Sequence, residues 1–435
     1  MTKQIAFIIC SLISIGFFSY TMKNLIAKFK ITKPSFPIDK IGERISLTLL
    51  VAFGQSKILR RPVIGMMHAI VWWGFLVVTI GTVEIAIEGF TGIIKPFAIL
   101  GPVYDVVMAS GEIFAALILI MCTAFLVRRY IMKVKRFDGI EVDTAEKVDA
   151  AISLFFIMFL MGTLLGMNLG YIGTLSSGDE ILGSYPISTI LYAFFIDANF
   201  HTIENINWWA HILGVFAFAN YLPYSKHFHV FMSVPNVFMS RLEPLTKMKN
   251  MESVTKEVKM MMDPNADPYA VPAEGTEAPA RFGVKDIEDV SWTSYVDSLA
   301  CTHCGRCTDV CPANTTGKKL SPRKILVNLR HRMDEKAPHL SKDGTYDDSK
   351  SLVGDDYISN EELWACTTCN ACAQECPLNI DQPSLILDMR RYLVMEESSA
   401  PQSINMMFTN IENNGAPWAF PAADRMKWAD GLSSN

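Results

Sequence analysis

Five apolar runs punctuate the first 240 residues, at about 5–22, 64–87, 103–127, 151–172 and 205–222. Each is about 18–25 residues long, enough to cross the ~30 Å hydrocarbon core of a bilayer as an α-helix. The first run lacks a small-x-small cleavage site and is followed by basic residues, so it reads as a retained helix rather than a cleaved signal. The intervening loops alternate in charge. Nine Lys and Arg lie between the first two runs, only Lys95 in the next loop, six in the third, and none across 173–204. Basic loops stay in the cytoplasm. The pattern therefore predicts an N-terminus outside a cytoplasmic (inner) membrane, with everything after residue 223 inside. Residues 41–56 are amphipathic and predict a helix lying in the interface. Trp72, Trp73, Trp208 and Trp209 fit either interfacial anchors or packing between helices.

After the fifth run the pattern changes. The stretch 263–283 is rich in Pro, Ala and acidic residues and reads as a linker. Short helical segments follow, two of them opened by Pro322 and Pro383 at their first turns. The expected organisation is all-α: a five-helix membrane domain (1–245), a linker (246–283), a soluble domain (284–400) and a tail (401–435) that could dock a partner. Composition agrees. Half of the 435 residues are hydrophobic and only 19% are charged, too apolar for an average soluble protein. A net charge of −5 gives no reason to expect nucleic acid as a partner.

Eight of the ten cysteines fall in two runs, "CTHCGRCTDVCP" and "CTTCNACAQECP". Both are C-x2-C-x2-C-x3-C-P, the bacterial [4Fe–4S] spacing. Cysteines at i, i+3 and i+6 wrap three corners of a cubane, and the fourth points toward the other cluster. The expected sets are Cys301, Cys304, Cys307 and Cys376 for one cluster, and Cys366, Cys369, Cys372 and Cys311 for the other. Zinc would need four ligands but not this third and fourth cysteine plus proline, twice over. His303, inside the first run, is expected to be a surface side chain tuning the cluster rather than a ligand.

The fifth run and its flank, "WWAHILGVFAFANYLPYSKHFHVF", carry His211, His227 and His229. Imidazole in lipid is costly, and a haem iron is one partner that offsets the cost. Eighteen residues are five helical turns, so on a continuous helix His211 and His229 share a face and lie about 27 Å apart, while His227 faces away. They would then serve two different haems. His68, at the cytoplasmic start of the second run, matches the depth of His229. His211 has no partner at its depth, because Val78 stands where one would be needed; His201 could fold back to it. Glu84, Glu88, Asp105 and Glu112 are candidate proton groups for quinone chemistry.

The block "WWAHILGVFAFANYLPYSKHFHVFMSVPNVF" resembles the γ subunit of respiratory nitrate reductase, a five-helix dihaem cytochrome b. That resemblance covers about residues 1–240 and puts His68, His211 and His229 on three of the four haem-ligand positions, with Val78 at the fourth. The cysteine region, with "FGVKDIEDVSWTSYVDSLACTHCGRCTDVCPA", resembles membrane-bound iron–sulfur oxidoreductases related to heterodisulfide reductase, and its helical context resembles their α-helical ferredoxin domains. "NNGAPWAF" and "DRMKWADGL" also match that family, whose Cys-Cys-Gly motifs do not occur in this sequence. The resemblance implies an oxidoreductase subunit passing electrons between a cytoplasmic donor and membrane quinone, menaquinone above all, through two [4Fe–4S] clusters and haem b, with a second haem possible. It also implies electron-transfer flavoprotein or a separate Cys-Cys-Gly iron–sulfur protein as partner. A conduit without its own quinone site and a membrane-tethered redox sensor are the alternative readings.

Overall fold

A computed structural model of the chain describes residues 2–432 except 36, 37, 140, 176–179, 196, 197, 266–280, 344, 345 and 347. Residues 266–280 of the expected linker thus lie outside the described residues, and a helix, Glu252–Met262, forms in its first half. Among the described residues there is no β-strand, only two isolated bridges, Lys33 with Ser291 and Val353 with Ile358.

Among the described residues, four helices are long and apolar enough to cross a membrane. They are α1 (Thr2–Phe29), α3 (Pro62–Thr91), α4 (Pro102–Leu126, continued as a π-type turn to Ile131) and α5 (Thr144–Thr174). Their limits are written locally. Pro62 and Pro102 open helices whose first N–H groups need no partner, Asp143 caps α5 by accepting from the Glu146 N–H at 2.8 Å, and Gly92 closes α3 at φ 77°. The fifth apolar run lies in α7 (Phe200–Tyr221), a helix of 22 residues. Its Glu204, Asn205, Asn207 and His211 make it more polar than the other four, and it is not among the four apolar spans. It packs along α5 and α1. Phe7, Val78, Ala115, Ile118, Leu160, Leu164, Trp208 and Ile212 form the core of this bundle, while Ile13, Val63, Val106 and Phe155 point outward.

The expected interfacial segment is α2 (Ile41–Thr48) plus a π-type turn at Leu49–Phe53. Ile41, Ile45, Leu49 and Leu50 are exposed on one side. On the other, Val51 and Ala52 pack against Val237 of α8 (His229–Met239).

The soluble domain is a set of short helices around one long one, α13 (Pro322–Asp343). Its core runs without a break into the membrane domain. Leu25 of α1, together with Leu222 and Phe228 near the histidines, belongs to the same cluster as Ile287, Leu299, Ile325, Ile386 and Met389. The cysteine loops are therefore fixed against one end of the bundle, beside Leu25, Leu222 and Phe228.

Candidate metal centres

The two cysteine loops are built alike. In the first, α10 (Trp292–Ala300) ends at Cys301, His303 and Gly305 adopt φ of 53° and 74°, and α11 (Arg306–Asp309) carries Cys307. Cys311 then precedes Pro312, which opens α12 (Pro312–Thr315). In the second, α14 (Asn360–Ala365) ends at Cys366, Thr368 and Asn370 adopt φ of 54° and 62°, and α15 (Ala371–Glu375) carries Cys372, with Cys376 next. Left-handed residues at the same two places in each motif curl the chain around its first three sulfurs. The curl aims backbone N–H groups inward: Thr368 donates to Cys366 Sγ at 3.4 Å, and His303 donates to Cys301 in the same way. Gly305 has no room for a side chain, since a Cβ there would meet the Arg136 carbonyl at 2.2 Å.

With α11 packed on α15, the fourth cysteines cross. Cys376 has Cys304 as an electrostatic neighbour and acts in turn on Cys301 and Cys307. Cys311 acts on Cys366 and Cys372, beside Cys369. A cavity is lined by Cys311, Cys366, Cys369 and Cys372 together with Pro312 and Pro383. No three of the described His, Cys, Asp and Glu close down to the spacing of a single metal ion. Burial pushes the thiols of Cys301 and Cys376 up to about 12. Burial thus favours the neutral thiol at Cys301, Cys307 and Cys376, and thiolates there call for a metal centre to compensate their charge.

The two sets differ in exposure. Cys301, Cys307 and Cys376 are buried, whereas Cys369 is exposed and Cys366 half-buried. The first set faces the membrane domain. Lys57 Nζ donates to the Cys376 carbonyl at 3.2 Å, Arg306 Nη1 to the Lys57 carbonyl at 3.4 Å, and Arg61 pairs with Glu375 at 2.9 Å. The loop between α4 and α5 closes over the same set. Arg323, 1% exposed at its side chain, pairs with Glu141 at 2.5 Å and donates to the carbonyls of Arg136 (2.8 Å), Asp138 (3.1 Å) and His303 (3.3 Å). Nothing in the spacing of the sequence marks Arg323 or Glu141; they matter because the two loops meet there.

His303 is not on the surface, contrary to expectation. It is 8% exposed, and its Nδ1–H donates to Glu146 at 2.7 Å. Glu146 also holds Lys226 at 2.5 Å, three residues before His229. The Nε2 of His303 is buried without a partner. Burial lowers its basicity, and Glu146 opposes that effect.

The continuous helix expected through the histidines is interrupted. α7 stops at Tyr221, two short 3-10 turns follow at Leu222–Tyr224 and Lys226–Phe228, and α8 begins at His229. Pro223 and the extended Ser225 cause the break. Consequently His227 does not face away; its ring lies 5.0 Å from that of His229 and perpendicular to it. The rings of His68 and His229 are 6.4 Å apart. Two metal–imidazole bonds of about 2.0 Å each, extended to the ring centres, span about 6 Å, so the pair fits the two faces of one haem iron. His229 Nδ1 donates to the Lys226 carbonyl at 3.3 Å, which leaves Nε2 for a metal. Arg306, on the first cysteine loop, is an electrostatic neighbour of His68.

His211 stands apart. Its Nδ1 donates to the Leu160 carbonyl at 3.0 Å and lies 3.1 Å from Thr163 Oγ1, while Nε2 is buried without a partner. Val78 lies in the apolar core beside it. His201 does not fold back. It sits exposed in the first turn of the same helix, beside Asn205. The candidate proton groups are committed elsewhere. Glu84 accepts from Phe97 N (3.1 Å) and Tyr104 OH (3.0 Å); Glu112 accepts from Ile187 N (2.9 Å), Ser188 N (3.1 Å) and Asn168 (3.2 Å). Both staple loops to the bundle. Glu88 lies 3.5 Å from Lys3, and Asp105 is exposed in the first turn of α4.

Residues 300–380 match the family described as a 4Fe-4S dicluster domain. The probable iron-sulfur-binding oxidoreductase FadF of Bacillus subtilis is 30% identical over 99% of this chain and 61% of its own length. The EtfAB:quinone oxidoreductase of Syntrophomonas wolfei is 30% identical over 90% of this chain and 54% of its own. One subunit of the ferredoxin/F420H2-dependent CoB-CoM heterodisulfide reductase of Methanosarcina acetivorans is 33% identical over 25% of this chain and 53% of its own. The chain spans between half and two thirds of the length of these curated relatives. No solved structure matches it. With its crossed cysteine loops and apolar helices, the chain is a homologue of iron–sulfur oxidoreductases and carries a 4Fe-4S dicluster domain at residues 300–380.

Proposed function

We propose that this chain is a membrane-anchored electron relay between a cytoplasmic donor and the membrane quinone pool. Cys301, Cys304, Cys307 and Cys376 would hold one [4Fe–4S] cluster, Cys366, Cys369, Cys372 and Cys311 the other, and His68 with His229 a haem b. Bound there, these groups supply one-electron carriers in a line from the exposed loop of Cys369 to the interior of the bundle. The observation that carries this reading is the His68–His229 pair, 6.4 Å apart, half-buried, and beside Arg306 of the first cysteine loop. The asymmetry of the loops supports a direction in space. A soluble donor reaches the second set at Cys369, while the first set is enclosed by Lys57, Arg306, Arg323 and the α4–α5 loop. Protein side chains exclude water from this inner set and hold it against the membrane helices.

The similarity to an EtfAB:quinone oxidoreductase supports a reduced electron-transfer flavoprotein as donor and quinone, menaquinone by the sequence resemblance, as acceptor. Similarity to heterodisulfide reductase subunits supports a separate iron–sulfur protein as a further partner. The loop charges support an inner-membrane location with the dicluster domain in the cytoplasm. The single imidazole Nε2 left at His211 supports one haem rather than two. The test is reoxidation of the dithionite-reduced protein by a soluble menaquinone analogue. His229→Leu is expected to keep reducible clusters but slow reoxidation at least ~100-fold, since one lost ligand breaks the only carrier in the bundle. Reoxidation at the wild-type rate in this variant would exclude the pathway.

A further inference from the structure

Five arginines, Arg61, Arg128, Arg129, Arg136 and Arg306, gather at the junction between the bundle and the first cysteine loop, where a bound cluster would offset part of their charge. Arg128, Arg129 and Arg136 converge on one ring, with guanidinium carbons 5.3, 5.1 and 5.3 Å from the centre of Phe137. Arg128 has Arg61 and Arg306 as electrostatic neighbours. Arg136 has Arg128, Arg61 and Arg306 as electrostatic neighbours, together with Cys304. Nε and Nη1 of Arg136 and Nε of Arg129 are buried without a hydrogen-bond partner. The carboxylates nearby are already engaged: Asp309 and Glu375 both pair with Arg61, at 3.6 and 2.9 Å. Among the described residues, Arg306 donates to the Lys57 carbonyl at 3.4 Å. Arginine does not discharge itself. Stacking on Phe137 offsets only part of the mutual repulsion and of the cost of buried unpaired N–H groups. The arrangement needs an anion with several oxygen acceptors.

Its place identifies the anion. Arg61 precedes His68 by seven residues, two helical turns or about 10 Å along the axis, and Arg306 is a neighbour of His68 itself. We infer that Arg61, Arg128, Arg136 and Arg306 form a cradle for the two propionate carboxylates of a haem held between His68 and His229. This rests on the haem reading above. Fork-shaped guanidiniums match carboxylates bidentately, and a propionate edge turned to the cytoplasm would lie between the haem ligands and Cys304. The cradle would then fix the haem's rotation in its slot and bring its edge toward the first cluster. The alternative, that Arg128 and Arg129 are ordinary cytoplasmic-side charges, accounts for neither the buried Nε and Nη1 of Arg136 nor its inward loop.

The test compares wild type with Arg128→Gln and Arg136→Gln in the purified full chain, with Arg128→Lys as the conservative variant. Three quantities are read: haem b per chain after detergent washing, the haem midpoint potential, and the midpoint of each cluster by EPR. Each Gln variant is expected to weaken haem retention about tenfold, the scale of one lost charge-assisted bond. It should also lower the haem midpoint, with Arg128→Lys intermediate and about eight non-haem irons per chain retained. Wild-type retention and potential in both variants, with only a cluster midpoint moved, would overturn the cradle and assign the arginines to the iron–sulfur cluster. Unchanged haem with loss of co-purifying phospholipid phosphate would overturn it in favour of a lipid headgroup. A wild-type protein without b haem would remove the haem reading itself, a result distinct from haem-loaded variants that lose nothing.

Discussion

Arg323 shows how one side chain can join two parts of the molecule. Its guanidinium spends its donors on Glu141 and on three carbonyls, one of them from the first cysteine loop and two from the loop between α4 and α5. Removing it strands a carboxylate that is 2% exposed. Breaking one side of such a pair costs about 3–5 kcal/mol, more than the pair's net worth. Arg323→Met is therefore expected to lower stability by that amount, read as an earlier urea midpoint for loss of the iron–sulfur absorbance. A shift under about 1 kcal/mol would show that the loop does not depend on this contact. The residue scale is also where the sequence is unevenly informative. The cysteines announce themselves through spacing, because a cubane dictates it. His303, Glu146 and Arg136 do not, because their roles come from a loop roughly 160 residues away folding over the motif, and long-range contacts leave no local period.

At the scale of elements, most helices follow from the apolar pattern and from Pro, Asp and Gly at their ends, and the amphipathic segment at 41–48 forms the helix α2. The run through the histidines is the exception. An unbroken 3.6-residue period is the natural extrapolation, yet Pro223 and Ser225 divide it, so register arithmetic across the break fails and His227 joins the group it is expected to avoid. A second element-scale device anchors the start of the soluble domain. Asp286 accepts from Arg332 at 2.8 Å and from Lys336 at 2.8 Å, tying residues 284–290 to α13. Burial alone would raise its carboxyl, but these hydrogen bonds outweigh it and hold the group below the usual carboxylate range. Its charge is thus favoured in the folded chain. The stabilisation is complete above the ordinary Asp value of about 3.9 and is lost as pH falls through the lower folded value. The thermal midpoint of the wild type should fall between about pH 5 and 3, and Asp286→Asn should start lower at about pH 7 yet fall less steeply. Equal slopes in the two proteins would remove Asp286 from the acid response.

At the scale of the whole molecule, a soluble iron–sulfur module and a helical bundle share one core, and the chemistry-bearing residues lie along their seam. Leu222 and Phe228, flanking the histidine turns, pack with Leu299 and Ile325 of the module, so the geometry of His229 and that of the cysteine loops are set by the same packing. The all-α class was legible in the sequence. How the parts meet was not, because the seam is made by loops 54–61 and 135–147 and by Arg306 and Arg323, whose partners are far away in the chain. The account's central claim is that this seam joins two [4Fe–4S] clusters to a single haem b. The most direct measurement is a haem and non-haem iron assay on the purified protein, with its dithionite-reduced minus oxidised visible spectrum. One b-type haem and about eight non-haem irons per chain are expected, the iron count following from two four-iron clusters, with the haem bands abolished by His68→Ala. Intact clusters without any haem signal, or haem bands that survive His68→Ala unchanged, would contradict it.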